Sequence, residues 1–406
     1  MLSTAFYIRR MWSFSRALDL ALIDEEIERG FKVSLGQRHG ERVAYIALSI
    51  GKELGFSRED LINLIIAGLL HDIGAIGGFR QFHGDQRLAE EHSRIGASIV
   101  RRLKQGESLA LAIKYHHETP DPNHGALGIF DVPMSAKILS LADKLDVNIA
   151  RTLATRAERE KIISWVKEHT GSLVFQEVSE AFIRVSAREA FWMDLNQPEL
   201  LHISLERLFG SSFRIVQPVE GDKDSTYELA LIFADLIDQK SSFTATHSRS
   251  VAQVAGSLAE ALDWDSDQIQ EIKVAGLLHD LGKLAVPKKI LDKPGSLDQD
   301  ELAQIRTHTY YTYRLLTDAG FPGHIVRWAA YHHERLDGKG YPFGVVGEEL
   351  CTGSRLMTIA DIYAALTEDR PYRKEMTPAE ALGIIAKGIG TSVDQKLFEV
   401  AKRVLA

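Results

Sequence analysis

The chain has 406 residues, 45% of them hydrophobic and 26% charged, the balance of an ordinary soluble protein with core enough for two or three domains. A formal net charge of −8 excludes broad coating of a nucleic-acid polymer, while a local cluster of metal ions and arginines would still admit a small anion. The single cysteine, Cys351, excludes an intrachain disulfide, and the absence of any run of 18 apolar residues excludes a membrane-spanning helix. No apolar run near the N-terminus is long enough for a signal-peptide core, so the expected location is the cytoplasm.

In chain order, an amphipathic helix follows His39, because Val43, Ile46, Ile50 and Leu54 step by 3, 4 and 4 and so share a face. Ser57 and Asp60 predict a capping box for an apolar helix that runs to Leu70 and ends in His71-Asp72. Gly74 would end that helix or turn the chain sharply. His92 heads the helical stretch Ser93 to Val100, His116-His117 follow the apolar stretch Leu109 to Tyr115, and Asp143 closes the run from Ala136 to Ala142. No stretch reads as a strand, so the predicted fold is all-α.

The same order then recurs. His39 and the Gly68-Leu69-Leu70-His71-Asp72 run reappear as His247 and Gly276-Leu277-Leu278-His279-Asp280, 208 residues on. His92 and the pair His116-His117 reappear 216 residues on as His308 and His332-His333, and Asp143 reappears 218 on as Asp361. Asp265 and Gln268 take the capping places of Ser57 and Asp60, and Gly282 that of Gly74. Even Gly171 to Gln176 has a counterpart in Gly390 to Gln395. An internal repeat of this kind predicts two helical units in tandem. We expect unit one over residues 1–190, a helical connector and polar linker over 191–225, and unit two over 226–406.

Ten of the 15 histidines fall into these two matching sets; His83, His124, His169, His202 and His324 do not and read as ordinary histidines. Imidazole nitrogens with carboxylate oxygens suit Fe, Mn or Zn, and a shared carboxylate can bridge two ions. A pair of ions roughly 3.5–4 Å apart is a clamp for phosphodiester hydrolysis. The pattern therefore points to a metal-dependent phosphodiesterase.

Unit two also carries Leu281-Gly282-Lys283, the run Glu334 to Pro342 with Gly340-Tyr341-Pro342, and Asp369-Arg370-Pro371-Tyr372-Arg373. With these it resembles an HD-GYP domain of the HD metal-dependent phosphohydrolase superfamily over nearly all of residues 229–406. The resemblance implies hydrolysis of a cyclic dinucleotide, chiefly cyclic di-GMP, to the linear dinucleotide; related members act on cyclic GMP-AMP. It makes His247, His279, Asp280, His308, His332, His333 and Asp361 the metal ligands, with Asp280 bridging, and Fe or Mn the expected ions. It gives Lys283 contact with the scissile phosphate or protonation of the departing ribose oxygen, and gives Tyr341, Arg370 and Arg373 contact with substrate. Some members carry a Glu four residues before the first His; Phe243 and Leu35 stand there, so two ions are expected rather than three.

Unit one resembles the wider HD family. It keeps His39, His71, Asp72, His92, His116, His117 and Asp143, but has Ala75 for the lysine and runs from Glu118 into Thr119-Pro120 without the Gly-Tyr-Pro loop. We expect it to hold metal and to be weak in catalysis or regulatory. The competing readings are a phosphodiesterase for another nucleotide, an oxygen-activating di-iron site, and a module that binds ligand without turnover; Lys283 and Gly-Tyr-Pro favour hydrolysis. Beyond the substrate, the partner left open is a second copy of the chain or a signalling protein. Tyr310, Tyr311 and Tyr313 are expected to pack rather than to stack on bases.

Overall fold

The computed structural model describes residues 2–28, 38–75, 86–103, 106–121, 123, 131–148, 155–196, 223–240, 246–369 and 374–406. These divide into two compact units, Met1–Val219 and Glu220–Ala406. Among the described residues the regular structure is helical, with no named strand and two isolated bridges.

Unit one contains α1 (Leu2–Glu28), α2 (His39–Glu53), α3 (Arg58–Leu70), α4 (Gln86–Val100), α5 (Gly106–Lys114), α6 (Met134–Asn148), α7 (Arg156–Glu168), α8 (Gln176–Ser186) and α9 (Glu189–Asn196). Unit two contains α10 (Lys223–Lys240), α11 (His247–Glu260), α12 (Ser266–Leu278), α13 (Lys288–Leu291), α14 (Gln299–Asp318), α15 (Gly323–Ala330), α16 (Thr352–Thr367), α17 (Pro378–Ile385) and α18 (Gln395–Leu405). The repeat reaches further back than the histidines reveal. Helix α1 buries Ile8, Met11, Phe14 and Leu18 against α3 and α2, and α10 buries Leu229, Phe233 and Leu236 against α12 and α11.

The helix starts follow side-chain capping. Asp265 and Gln268 form the full reciprocal box of α12. At α3, Ser57 accepts from the Asp60 backbone N–H, but the Asp60 carboxylate takes the Ser57 hydroxyl at 2.6 Å instead of reaching back to the backbone. The crossing of α3 on α2, and of α12 on α11, needs a residue without a side chain. A Cβ on Gly68 would lie 2.7 Å from Ala44 Cα, and one on Gly276 would lie 2.6 Å from Ala252 Cα. Gly74 and Gly282 do not serve the sharp turn expected of them, since neither has a positive φ. A Cβ at either would run into the backbone carbonyl of the next histidine, His92 or His308, so their function is close approach of α4 and α14 to the His-Asp turn.

The matching turns late in each unit are also alike. Gly171 and Gly390 have φ of 88° and 81°, and the bridges pair Thr170 with Val174 and Ile389 with Val393. Residues 191–196, expected to begin the connector, lie in α9, where Phe191 and Trp192 are buried and Tyr45 stacks on Phe191 at 5.7 Å. The rest of that segment up to residue 222 lies outside the described residues.

Candidate metal centres

In unit two all seven predicted ligands converge. His247 is the first residue of α11, His279 caps α12, Asp280 opens the turn after it, His308 lies in α14, His332 and His333 follow α15, and Asp361 lies in α16. Two groups form, His247-His279-Asp280 and His308-His332-His333, each with its ligand atoms within 4.8 Å of one another. Asp280 faces both: Oδ2 is 3.2 Å from His279 Nε2, and Oδ1 is 3.3 Å from His308 Nε2 and 3.9 Å from His332 Nε2. Asp361 Oδ1 closes the first group, 3.2 Å from His247 Nε2 and 3.8 Å from His279 Nε2.

The main chain sets the tautomers. The Nδ1 atoms of His279, His308 and His332 lie 2.7, 2.6 and 2.7 Å from the carbonyl oxygens of Gly276, Ile305 and Ala329. A carbonyl only accepts, so the proton sits on Nδ1 and Nε2 turns a lone pair to the cluster. Burial pulls His308, His332 and His333 down to about 3, so they are neutral imidazoles near neutral pH. The carboxylate opposes them in charge: burial works against ionisation of Asp280, but His279 and Lys283 hold it well below the usual range. His247 differs from the others. Burial lowers it, yet Asp361 at Nε2 and Glu368 at Nδ1, 3.1 Å away, push it up to about 9.

This donor set fits divalent cations. His308 Nε2 and His332 Nε2 face each other at 3.4 Å with both protons on the far nitrogens, a repulsive arrangement unless a cation lies between the lone pairs. His279 Nε2 is buried without a hydrogen bond, as is His116 Nε2 in unit one. Buried polar atoms of this kind require a partner, and a metal ion would supply it.

Unit one brings together its own seven. His39, His71 and Asp143 form one group and His92, His116 and His117 the other. Asp72 stands between them, Oδ2 at 3.5 Å from His39 Nε2 and 3.3 Å from His71 Nε2, Oδ1 at 3.6 Å from His92 Nε2. His71 Nδ1 and His116 Nδ1 again meet carbonyls, those of Gly68 and Ile113, at 2.9 and 2.6 Å.

Several supporting groups escaped the sequence reading. His39 Nδ1 meets Asp146 at 2.7 Å, and Arg42 binds the same carboxylate with Nη2 at 2.9 Å. Burial raises Asp146, but Arg42 and His39 outweigh it and bring it to about 2. Asp146 lies three residues beyond Asp143, whereas Glu368 lies seven beyond Asp361, so the same task is done one helical turn apart. Asp19 and Asp238 anchor the ligand helices: the Gly40 N–H donates to Asp19 at 3.4 Å, and Ser248 donates to Asp238 through Oγ at 2.8 Å and N–H at 3.3 Å. Burial raises them to about 7 and about 6.

The residues expected on the substrate side lie around the unit-two cluster, apart from Arg370 and Arg373. Lys283 Nζ lies 2.5 Å from Asp280 Oδ2. Tyr341 packs 4.9 Å from the His333 ring and 6.4 Å from the His308 ring, and the Tyr341-Pro342 peptide is cis. Buried Glu334 fixes this loop by accepting from Phe343 N–H at 2.7 Å and Val345 N–H at 3.0 Å. Tyr310, Tyr313 and Tyr331 pack on Phe343 of the loop, at 6.2, 5.0 and 5.5 Å. Unit one has Ala75 at the lysine position, but Lys144 follows Asp143 on α6, bound to Ser140 Oγ at 2.5 Å and near enough to Asp143 and Glu118 to feel their charge. Ile362 holds the Lys144 place in unit two.

Arg370, Arg373, Phe243 and Leu35 lie outside the described residues, as do His83, His124 and His202. His169 stacks on Trp165 at 4.7 Å, and His324 pairs with Glu271 at 2.9 Å, the ordinary uses expected of them. No helix among the described residues is long and apolar enough to cross a membrane.

Comparison with known proteins gives two matches to HD domain models, over residues 37–148 and 232–397. A 3′3′-cGAMP-specific phosphodiesterase of Vibrio cholerae is 30% identical over 386 residues, 90% of this chain and 86% of that one. A cyclic di-GMP phosphodiesterase of Pseudomonas aeruginosa is 40% identical over 149 residues, 36% of each chain. The crystal structure of a cyclic GMP-AMP specific phosphodiesterase of V. cholerae superposes with a TM-score of 0.66 at 23% identity, covering 98% of this chain and 97% of that one, which shows the shared fold.

Proposed function

We propose that this chain, which belongs to the HD phosphohydrolase superfamily and to its HD-GYP type, is a hydrolase that opens a cyclic dinucleotide at the unit-two cluster. The observation that carries the reading is the joining, in one unit, of the two ligand groups about Asp280 with Lys283 and the pinned Tyr341 loop. The relatives that align across both units are named for 3′3′-cGAMP, while the P. aeruginosa cyclic di-GMP enzyme aligns over about a third of the chain. That distribution favours 3′3′-cyclic GMP-AMP as substrate, with cyclic di-GMP second, and so reverses the order expected from motifs alone.

His247, His279, Asp361 and Asp280 would hold one divalent ion, and His308, His332, His333 and Asp280 the other, Fe(II) or Mn(II) by donor type. Bound there, the ions supply a water activated at neutral pH and neutralise phosphate charge. The protein's own residues do the rest. Water adds to phosphorus, the bond to the ribose oxygen breaks, and Lys283 Nζ carries the proton that the departing oxygen takes, yielding the linear dinucleotide. Glu334 holds the loop so that Tyr341 walls the site beside His333. Unit one, with its ligands and without that loop, holds metal in a regulatory role.

The test is hydrolysis of both cyclic dinucleotides by the full chain, purified without oxygen and loaded with Fe(II) or Mn(II). Asp280→Ala should lose about 10³-fold or more, the value of several kcal/mol of charge stabilisation. Asp72→Ala should retain turnover. Loss confined to Asp72→Ala would move catalysis to unit one, and an inactive wild type would end the cyclic dinucleotide reading.

A further inference from the structure

Arg306 lies on α14, two residues before His308, with its guanidinium carbon 5.3 Å from the centre of the Tyr341 ring. That ring is not free to wander. The Tyr341 N–H donates to the His333 carbonyl at 3.2 Å, and Glu334 fixes the chain at Phe343 and Val345. Arg306 is therefore a cation held over a ring whose neighbours are two histidines of the cluster. It is exposed, and among the described residues no carboxylate pairs with it. Lys283, the inner cation, is already matched to Asp280 at 2.5 Å.

A cyclic dinucleotide carries two phosphodiesters in one ring. When one occupies the ligand cluster, the other is held away from it with a full negative charge. We propose that Arg306, stacked on Tyr341, binds this second, non-reacting phosphate and so selects substrates with two phosphates over esters with one. The proposal rests on the cyclic dinucleotide reading above. A guanidinium lying on an aromatic face keeps its N–H edges available, and those edges match phosphate oxygens two at a time. The repeat provides a contrast. At the offset of 216 that relates His308 to His92, Arg306 corresponds to Glu90, so the unit without a Tyr341 loop carries the opposite charge at this place.

The experiment compares 3′3′-cyclic GMP-AMP and cyclic di-GMP with bis(p-nitrophenyl) phosphate, a diester with one phosphate, on the Mn(II)-loaded full chain. In Arg306→Ala the ratio of kcat/KM for cyclic dinucleotide to that for the single-phosphate probe should fall about 10–100-fold, through KM, as expected for loss of a charged hydrogen-bonded pair. Arg306→Lys should recover part of the ratio, because it restores charge without the fork. The probe reaction passes through the same ligands and so reports whether each variant is folded. Equal losses on both substrates, or no loss on the cyclic dinucleotides, would overturn the proposal and leave the functional reading standing. A wild type that cleaves the probe and neither cyclic dinucleotide would overturn that reading, and this proposal with it.

Discussion

Units one and two each bring an equivalent set of seven candidate ligands together, yet they differ in the residues that surround that set. Unit two has Lys283 paired with Asp280 and a loop fixed through Glu334; unit one has Ala75, Lys144 on another helix, and no Gly-Tyr-Pro. The ligand frame is thus separable from the substrate apparatus. The frame depends on helix ends, main-chain carbonyls and the glycines at the helix crossings, all of which both copies keep. The apparatus depends on individual side chains in a loop and on one turn, which a few substitutions remove.

The comparison is broken most severely at the lysine. Lys283→Ala should lower kcat on cyclic dinucleotide by about 10²-fold with little change in bound metal, the loss expected for a proton donor. Elemental analysis alongside the kinetics checks it; a variant that loses its metal in proportion to its rate would make Lys283 a support for Asp280 instead. The carboxylates behind the first histidines sharpen the comparison. Glu368→Gln should weaken metal affinity in unit two about 10-fold, and Asp146→Asn should do so in unit one, since partners of this kind typically contribute 10–100-fold. Metal titration of each variant, with the other unit's bridging aspartate replaced by alanine, reads the two sites separately. Equal affinities for variant and parent would show that the Nδ1 partner does not tune the site.

The helix crossings test the stability of each unit rather than its site. Gly276→Ala and Gly68→Ala each force a Cβ into the backbone of an alanine, at Ala252 and Ala44, and should destabilise their own unit by about 1–3 kcal/mol. Thermal unfolding followed by a probe in each unit tests this, and unchanged transitions would mean that the helices slide apart without cost.

The convergence of the candidate ligands was legible because period and offset are properties of the sequence itself: a histidine on the first turn of an amphipathic helix recurs at a fixed distance in both copies. The capping at Asp265 was legible for the same reason, being set by a few neighbouring residues, while the runs at Gly171 and Gly390 were legible only as counterparts and not as turns. What stayed hidden depends on contacts across the fold. Asp146 serves His39 from within α6, while Glu368 serves His247 from the residue just past the end of α16, so the offset that aligns the ligands puts Ala364 opposite Asp146. Lys144 was hidden likewise, because the counterpart of Lys283 is Ala75 and the counterpart of Lys144 is Ile362. Gly74 and Gly282 were misread since a glycine after a helix suggests a turn, and the approaching carbonyl belongs to a helix further along the chain.

The anchoring of the first histidine by Asp19 and Asp238 reaches into how such a protein can be rewired. Asp19 stands 20 residues before His39 and Asp238 only nine before His247, yet each carboxylate meets the residue just after its histidine. The two copies amount to a natural length experiment: the stretch between anchor and ligand has more than doubled without disturbing where either end docks. Part of the added length is helix, since α1 runs on to Glu28 whereas α10 ends at Lys240, two residues past its anchor. That stretch is accordingly the port at which an inserted domain could be grafted next to a metal centre while the ligand keeps its seat.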